Sequence, residues 1–314
     1  MAKSYFWLPV GLAILAVICS AVVAYVVRFV LEEGKRRRIQ KAFGFYLAPT
    51  LVDQMVDDTQ ELRLGGEKRD VTIMFADLSG FTALSGIVGP EELVARTNEY
   101  LTLIAEEVEA TGGYVDKFIG DAVMAMWGAP IKLDDHPANA VAAAIQISDK
   151  IAKRHALATA AGEHGFAIKV GVNSGDAVVG NVGSEKRFNY TAVGEAVNIA
   201  VRLEGLPGTY DCNIILGPET AAQVKSSFTL REIDMVTVKG KTEPIRIFEP
   251  YEGGSLAAYG SALAAYRAQA FSAAAGAWEA IGDGPSLVMA ERARTFIDNP
   301  PPESWDGVWV MTTK

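Results

Sequence analysis

Residues 6–27, "FWLPVGLAILAVICSAVVAYVV", carry no charge, and beyond them the chain turns to short apolar runs alternating with amphipathic stretches. At the rise of a helix those 22 residues are long enough to cross the hydrocarbon core of a bilayer. A cleaved leader would carry an apolar region of only about 7–15 residues. Residues 1–30 are therefore expected to be a transmembrane helix in contact with membrane lipid. Arg28, Lys35, Arg36, Arg37, Arg38 and Lys41 follow it, against Lys3 on the other side. The positive-inside rule then puts the rest of the chain on the cytoplasmic side of the cell (inner) membrane. Five residues precede the apolar stretch, so sensing would fall to a larger receptor or to a partner within the bilayer.

Residues 31–60 mix charges with Phe43, Phe45, Tyr46 and Leu47, and Pro49 suits the first turn of a helix, which together predict a linker helix. From residue 61 the periods alternate. Strand patterns fall at 71–76, 114–118, 122–127, 213–216, 228–233 and 245–248, and helical patterns at 91–110, 138–153 and 194–204. "FAIKVGVNSG" and "AVVGNVG" read as a hairpin. The β-α-β-β-α-β succession predicts an α+β, ferredoxin-like βαββαβ domain over 61–252, with helices on one face of its sheet. Residues 253–314 differ. Leu256, Tyr259, Leu263, Tyr266, Phe271 and Trp278 recur at helical spacing, and "IGDGPS" interrupts them before a second helix reaching about Phe296. Such a helical hairpin cannot bury its apolar face alone and is expected to dock. The ending "NPPPESWDGVWVMTTK" has too many tryptophans for a loose tail.

Composition narrows the function. Half of the residues are apolar, enough for a substantial core, and the net charge of −9 lacks the basic surface that a nucleic-acid partner requires. Cys19 and Cys212 lie too far apart for a CxxC site, and two cysteines make no disulfide framework. His136, His155 and His164 show no ligand spacing and are expected at the surface.

The candidate chemistry lies in polar residues at strand ends. Asp77 closes the apolar run in "VTIMFADLSGFTALS". A lone buried carboxylate is costly, so it either reaches solvent or holds a cation. Asp121 sits in the connection between two strands, and hairpin pairing would bring both carboxylates to one sheet edge, a donor set suited to Mg²⁺ or a similar hard ion. Asn198 and Arg202, four apart on a helix, share a face; an amide beside a guanidinium suits ribose or phosphate, and a solvated helix face is the other reading. Lys117, four residues before Asp121, alternates with Asp116 in a strand, which leaves it on a different face from the carboxylate pair. Lys239 lies in the glycine-containing "VTVKGKTEP", where a lysine is ordinarily solvated.

"FADLSGFT", "KFIGDAVMAMWG", "VGVNSGDAVVGNVG" and "YTAVGEAVNIAVRLE", in this order, resemble the class III nucleotide cyclase catalytic domain over about residues 65–250. The flanks "AFGFYLAP" and "WDGV" resemble those of bacterial membrane cyclases that carry a CHASE2 sensor. The resemblance implies two divalent ions, Mg²⁺ or Mn²⁺, held by Asp77, Asp121 and the backbone carbonyl of Leu78. It implies that Lys117 and Thr191 read the purine, that Asn198 and Arg202 orient the ribose and meet the transition state, and that Lys239 binds the triphosphate. Gly80, Phe81 and Thr82 would turn backbone N–H groups toward the triphosphate. The family shares each site across a dimer, so a homodimer is implied. Thr191 stands where the usual partner of the purine-reading lysine is Asp. Lys117 only donates, which suits adenine N1, and Thr191 can accept from the adenine amine. The expectation is an adenylate cyclase turning ATP into cyclic AMP and diphosphate. A binding module without turnover and a guanylate cyclase are the alternatives.

Overall fold

A computed structural model describes residues 8–43, 64–237 and 243–311, and the chain divides into two compact units, Met1–Glu61 and Leu62–Lys314. In the first unit, helix α1 runs over Leu8–Phe43 without a break. Sequence reading separated a membrane helix ending at 30 from a linker helix; the structure joins them at least to Phe43. No proline falls between Pro9 and Pro49, and good helix formers continue past Arg28. The stretch Gly11–Phe29 is long and apolar enough to cross a membrane. Residues 44–60 of the expected linker lie outside the described residues.

The second unit opens with the long strand β1 (Gly65–Ser79), the short helix α2 (Phe81–Ser85) and helix α3 (Pro90–Ala110). Strands β2 (Tyr114–Ile119) and β3 (Ala122–Trp127), helix α4 (His136–Ala160) and strand β4 (Ala167–Ser184) follow. β1 pairs antiparallel with both β3 and β4, and β2 pairs with β3. Proline at the start of α3 suits a position whose amide has no intrahelical acceptor.

The hairpin expected from "FAIKVGVNSG" and "AVVGNVG" is instead the single strand β4, registered against β1 from Ser79↔Ala167 to Gly65↔Asn181. The glycines that suggested a turn serve close backbone approach. A Cβ on Gly180 would stand 2.2 Å from the Gly65 carbonyl oxygen, and one on Gly171 would stand 2.2 Å from the Glu204 amide nitrogen. The turn comes later, before β5 (Arg187–Val193), which pairs back on β4.

Helices α5 (Glu195–Glu204) and α6 (Pro207–Tyr210), strand β6 (Ile214–Leu216), helix α7 (Pro218–Val224) and strands β7 (Leu230–Thr237) and β8 (Ile245–Pro250) complete the central part. The tail holds helices α8 (Leu256–Arg267), α9 (Phe271–Ile281) and α10 (Gly284–Asp298) and strand β9 (Trp309–Val310). Among the described residues one sheet runs β2-β3-β1-β4-β6-β8-β7-β9, with β5 attached to β4. It is mixed, since β4 with β6 and β7 with β9 are parallel.

Helices cover both faces of this sheet, not one. Ile214 and Leu216 join the core formed with α3 and α4, whereas Ile215 between them joins a second core with α5 and the tail helices. That second core corrects the hairpin expected at the C-terminus. Gln269, at φ 59°, ends α8 in a left-handed turn, so the tail folds as three helices. Tyr259, Tyr266, Phe271 and Trp278 pack on Ile233, Val236 and Ile247 of the sheet, which docks the tail as expected.

His155 and His164 are exposed, but His136 is buried. Its Nδ1 is 2.8 Å from the Thr72 hydroxyl, which lies 2.7 Å from Ser174 Oγ, itself 2.9 Å from Thr220 Oγ1. A hydrogen-bonded chain of this kind satisfies polar groups that sequence spacing places at the surface.

Candidate active site

The pairing of β1 with β3 decides where the two aspartates meet. Asp77 stands opposite Ala122, so Asp121, in the β2–β3 connection, arrives beside the end of β1. The Asp77 carboxyl is pushed above its ordinary range, first by burial and then by the charge of Asp121, while Lys169 pulls it back. Lys169 is the register partner of Asp77 on β4.

Glu204, the last residue of α5, belongs to the same edge and was missed from the sequence. The bare backbone of Gly171, two residues beyond Lys169, lets α5 lie directly on β4 at Glu204. Burial, Asp77 and Asp121 push the Glu204 carboxyl up to about 7, with Lys169 opposing. The only sequence signal was that glycine inside an apolar strand.

A carboxylate whose proton affinity is raised by a neighbouring carboxylate is relieved by a hard cation, so the Asp77–Asp121 edge fits a divalent ion. The Leu78 side chain is buried in the core, which leaves only its backbone carbonyl to serve as a further ligand. Among the described residues, no group of three or more His, Cys, Asp or Glu side chains forms a ready-made metal cage.

A second group of side chains forms on β2. Val115 faces Ala125 and Lys117 faces Met124, so Asp116 is the extra residue of a bulge. Regular alternation would part Asp116 from Lys117. The bulge instead lets both reach Thr191 on β5, which corrects the alternation read from the sequence. Lys117 Nζ donates to Thr191 Oγ1 at 3.1 Å and lies 3.2 Å from Asp116 Oδ1. The Thr191 hydroxyl in turn donates to Asp116 Oδ2. The Asp116 side chain is fully buried. Burial pushes its carboxyl above the usual range, against the pull of the Thr191 hydroxyl, the Lys117 ammonium and the Ala192 amide. Tyr114 meets Tyr190 edge-on at 5.8 Å and holds β5 against β2. Asp116 too was missed as a site residue.

Asn198 is exposed and Arg202 half-buried, one turn apart on α5. Among the described residues, neither side chain has a hydrogen-bond or ion-pair partner, so both remain available to a ligand. Gly80 takes the left-handed turn, at φ 96°, that starts α2 at Phe81. The amides of Phe81 and Thr82 therefore fall in a first turn that has no intrahelical acceptors. Lys239 lies outside the described residues.

Three of the expected associations are thus present as neighbours: Asp77 with Asp121, Lys117 with Thr191, and Asn198 with Arg202. The profile of the adenylate and guanylate cyclase catalytic domain matches residues 66–249. Adenylate cyclase 1 of Rhizobium meliloti is 33% identical over 207 residues, covering 66% of this chain and 31% of that protein. The adenylate cyclase of Anabaena cylindrica is 37% identical over 188 residues, 58% of this chain and 36% of that protein. The chain therefore spans about a third of the length of these curated relatives. Among solved structures, the adenylyl cyclase CyaB of P. aeruginosa superposes with a TM-score of 0.56 at 29% identity, covering 62% of this chain and 99% of that one. The guanylyl cyclase Cya2 superposes at 0.53 and 32% identity, with 62% and 98% covered.

Proposed function

The chain belongs to the adenylate and guanylate cyclase catalytic-domain family, and on that premise we propose that it is an adenylate cyclase, converting ATP into 3′,5′-cyclic AMP and diphosphate. The observation that carries the choice of purine is the 3.1 Å hydrogen bond between Lys117 and Thr191. Lys117 only donates, matching the acceptor at adenine N1, and guanine, with a hydrogen at N1, would meet a second donor there. Thr191 accepts from the adenine amine.

Asp77 and Asp121, with the Leu78 carbonyl, would hold divalent cations, Mg²⁺ or Mn²⁺, two per site. Bound there, such ions lower the pKa of the ribose 3′-hydroxyl and neutralise the leaving diphosphate. Asn198 orients the ribose, and Arg202 meets the charge on the transferring phosphoryl group with parallel donors. The turn at Gly80, Phe81 and Thr82 directs amides to the triphosphate, with Lys239 as a further cation.

Each site is shared between two copies, one supplying the carboxylates and the other Lys117, Thr191, Asn198 and Arg202. Exposed apolar residues beside the second set support this: Phe118 and Ile119 follow Lys117, Val193 stands two beyond Thr191, and Val201 precedes Arg202. The stretch Gly11–Phe29 would anchor the chain as a single pass in the cell membrane, with the catalytic part cytoplasmic and its product serving intracellular signalling.

The test is product formation by the full chain in detergent, with ATP and GTP supplied separately in Mg²⁺ or Mn²⁺. Cyclic AMP in large excess is expected. A preference for GTP would make the protein a guanylate cyclase, and nucleotide binding without either product would make it a binding module.

A further inference from the structure

A threonine hydroxyl does not by itself tell adenine from guanine. It carries one donor and two acceptor positions, so it can rotate to accept from the adenine 6-amine or to donate to guanine O6. Two neighbours remove that freedom at Thr191. Its proton is given to Asp116 Oδ2, and one lone pair receives Lys117 Nζ at 3.1 Å. One lone pair is left. The bulge between Val115 and Lys117 makes this possible by turning two consecutive residues toward one partner.

We propose that Asp116 is a specificity-determining residue: by taking the Thr191 proton it leaves that hydroxyl able only to accept from a base, and so selects a 6-amino purine. Asp116 touches no substrate; it is a positioning residue acting through Thr191. It also keeps Lys117, 3.2 Å from its Oδ1, in place beside Thr191 with a donor to spare for N1. Guanine then meets two mismatches, lone pair against O6 and donor against N1–H. The carboxylate is fully buried, so water does not compete for the Thr191 proton.

The inference rests on the reading of the protein as an ATP cyclase, and the experiment separates the two. The full chain, wild type and Asp116→Asn, is given equal ATP and GTP in one reaction, and both cyclic products are quantified by mass spectrometry. Asn can turn its amide N–H groups toward Thr191 and so reverse the hydroxyl. The variant is expected to lose about tenfold in the cyclic AMP to cyclic GMP ratio, the worth of one hydrogen bond in a closed site. Thr191→Ser, which keeps the hydroxyl, is expected to hold the wild-type ratio. A merely structural role would lower both products together and leave the ratio unchanged, which would overturn the proposal. Wild-type protein alone supplies a second measurement. Purine riboside triphosphate retains the N1 acceptor but lacks the 6-amine, and its KM is expected about tenfold above that of ATP. Equal KM values would overturn the role of Thr191 as acceptor. If wild type makes neither product, the reading as a cyclase falls.

Discussion

Arg231 on β7 donates to Asp283 at 2.5 Å, and the other oxygen of Asp283 accepts the Ser286 amide at 3.1 Å. One carboxylate thus caps the N-terminus of α10 and ties that helix to the sheet. Arg231 also donates to Glu249 at 2.6 Å and lies 4.2 and 4.6 Å from the ring centroids of Tyr251 and Tyr259. The tail is fastened by buried charge as well as by apolar contact.

A chain ended at residue 252 is therefore expected not to fold. It would lose Tyr259, Tyr266 and Trp278 from the second core and leave Arg231 and Asp234 without their tail partners. Circular dichroism melts of 62–252 against 62–314 check this; a cooperative transition in the shorter chain would refute it.

Arg292 on α10 and Asp234 on β7 form an ion pair almost fully out of water, joined by the Tyr210 hydroxyl at 2.7 Å from Asp234 Oδ2. Replacing Arg292 with Leu strands a buried carboxylate and is expected to cost about 3–5 kcal/mol. Adding Asp234→Asn removes the stranded charge and should recover part of the loss. Urea unfolding of both variants measures the difference.

Gly171 lets α5 rest on the sheet, because a Cβ there would meet backbone atoms, Glu204 N at 2.2 Å and Ala200 O at 2.5 Å. Neither can swing aside. Gly171→Ala is expected to cost about 1–3 kcal/mol and to displace the helix that carries Asn198 and Arg202. Turnover should fall further than stability does, measured by comparing kcat with the urea midpoint.

Glu204 gives a pH dependence with a defined sign. Its folded pKa, about 7, lies above that of an ordinary carboxyl, so the native state binds the proton more tightly than the unfolded chain. The resulting stability is present below the ordinary carboxyl pKa and is lost as pH rises through about 7. Asp77, Asp116 and Glu249 shift the same way, so Glu204→Gln should reduce the slope without abolishing it. Urea midpoints in chelator across that range decide it; an unaltered slope in the variant would contradict the shift.

A shared site predicts complementation. Asp77→Ala and Arg202→Ala should each lose about a thousandfold or more alone. Mixed, half of the dimers pair one of each and hold one intact site of two, restoring about a quarter of wild-type activity. Cyclic AMP formation in the mixture reads this directly, and no restoration would place the whole site within one chain.

Much of this protein was legible in its sequence, because the information is local. The uncharged run is by length and composition alone a helix long and apolar enough to cross a membrane over Gly11–Phe29, and the periods from 71 to 127 mark strands and helices in their order. Asn198 and Arg202 share a face because four residues make a turn. Asp121 could be placed in the tight β2–β3 connection from local pattern, but its meeting with Asp77 needed that hairpin to lie beside β1, which the register Asp77↔Ala122 supplies. The remainder depended on approach between distant segments, which no local period records. Glycines at 171 and 180 looked like a turn but are places where other backbone comes within van der Waals reach. The bulge at Asp116 broke the alternation that would have parted it from Lys117, and a bulge is fixed by the partner strand as much as by its own residues. His136, Arg231 and Arg292 are charged or polar residues that composition assigns to the surface, yet they are buried, and Glu204 is half-buried. Only packing could place them so, since only there do their partners from β1, β7, β8 and the tail surround them.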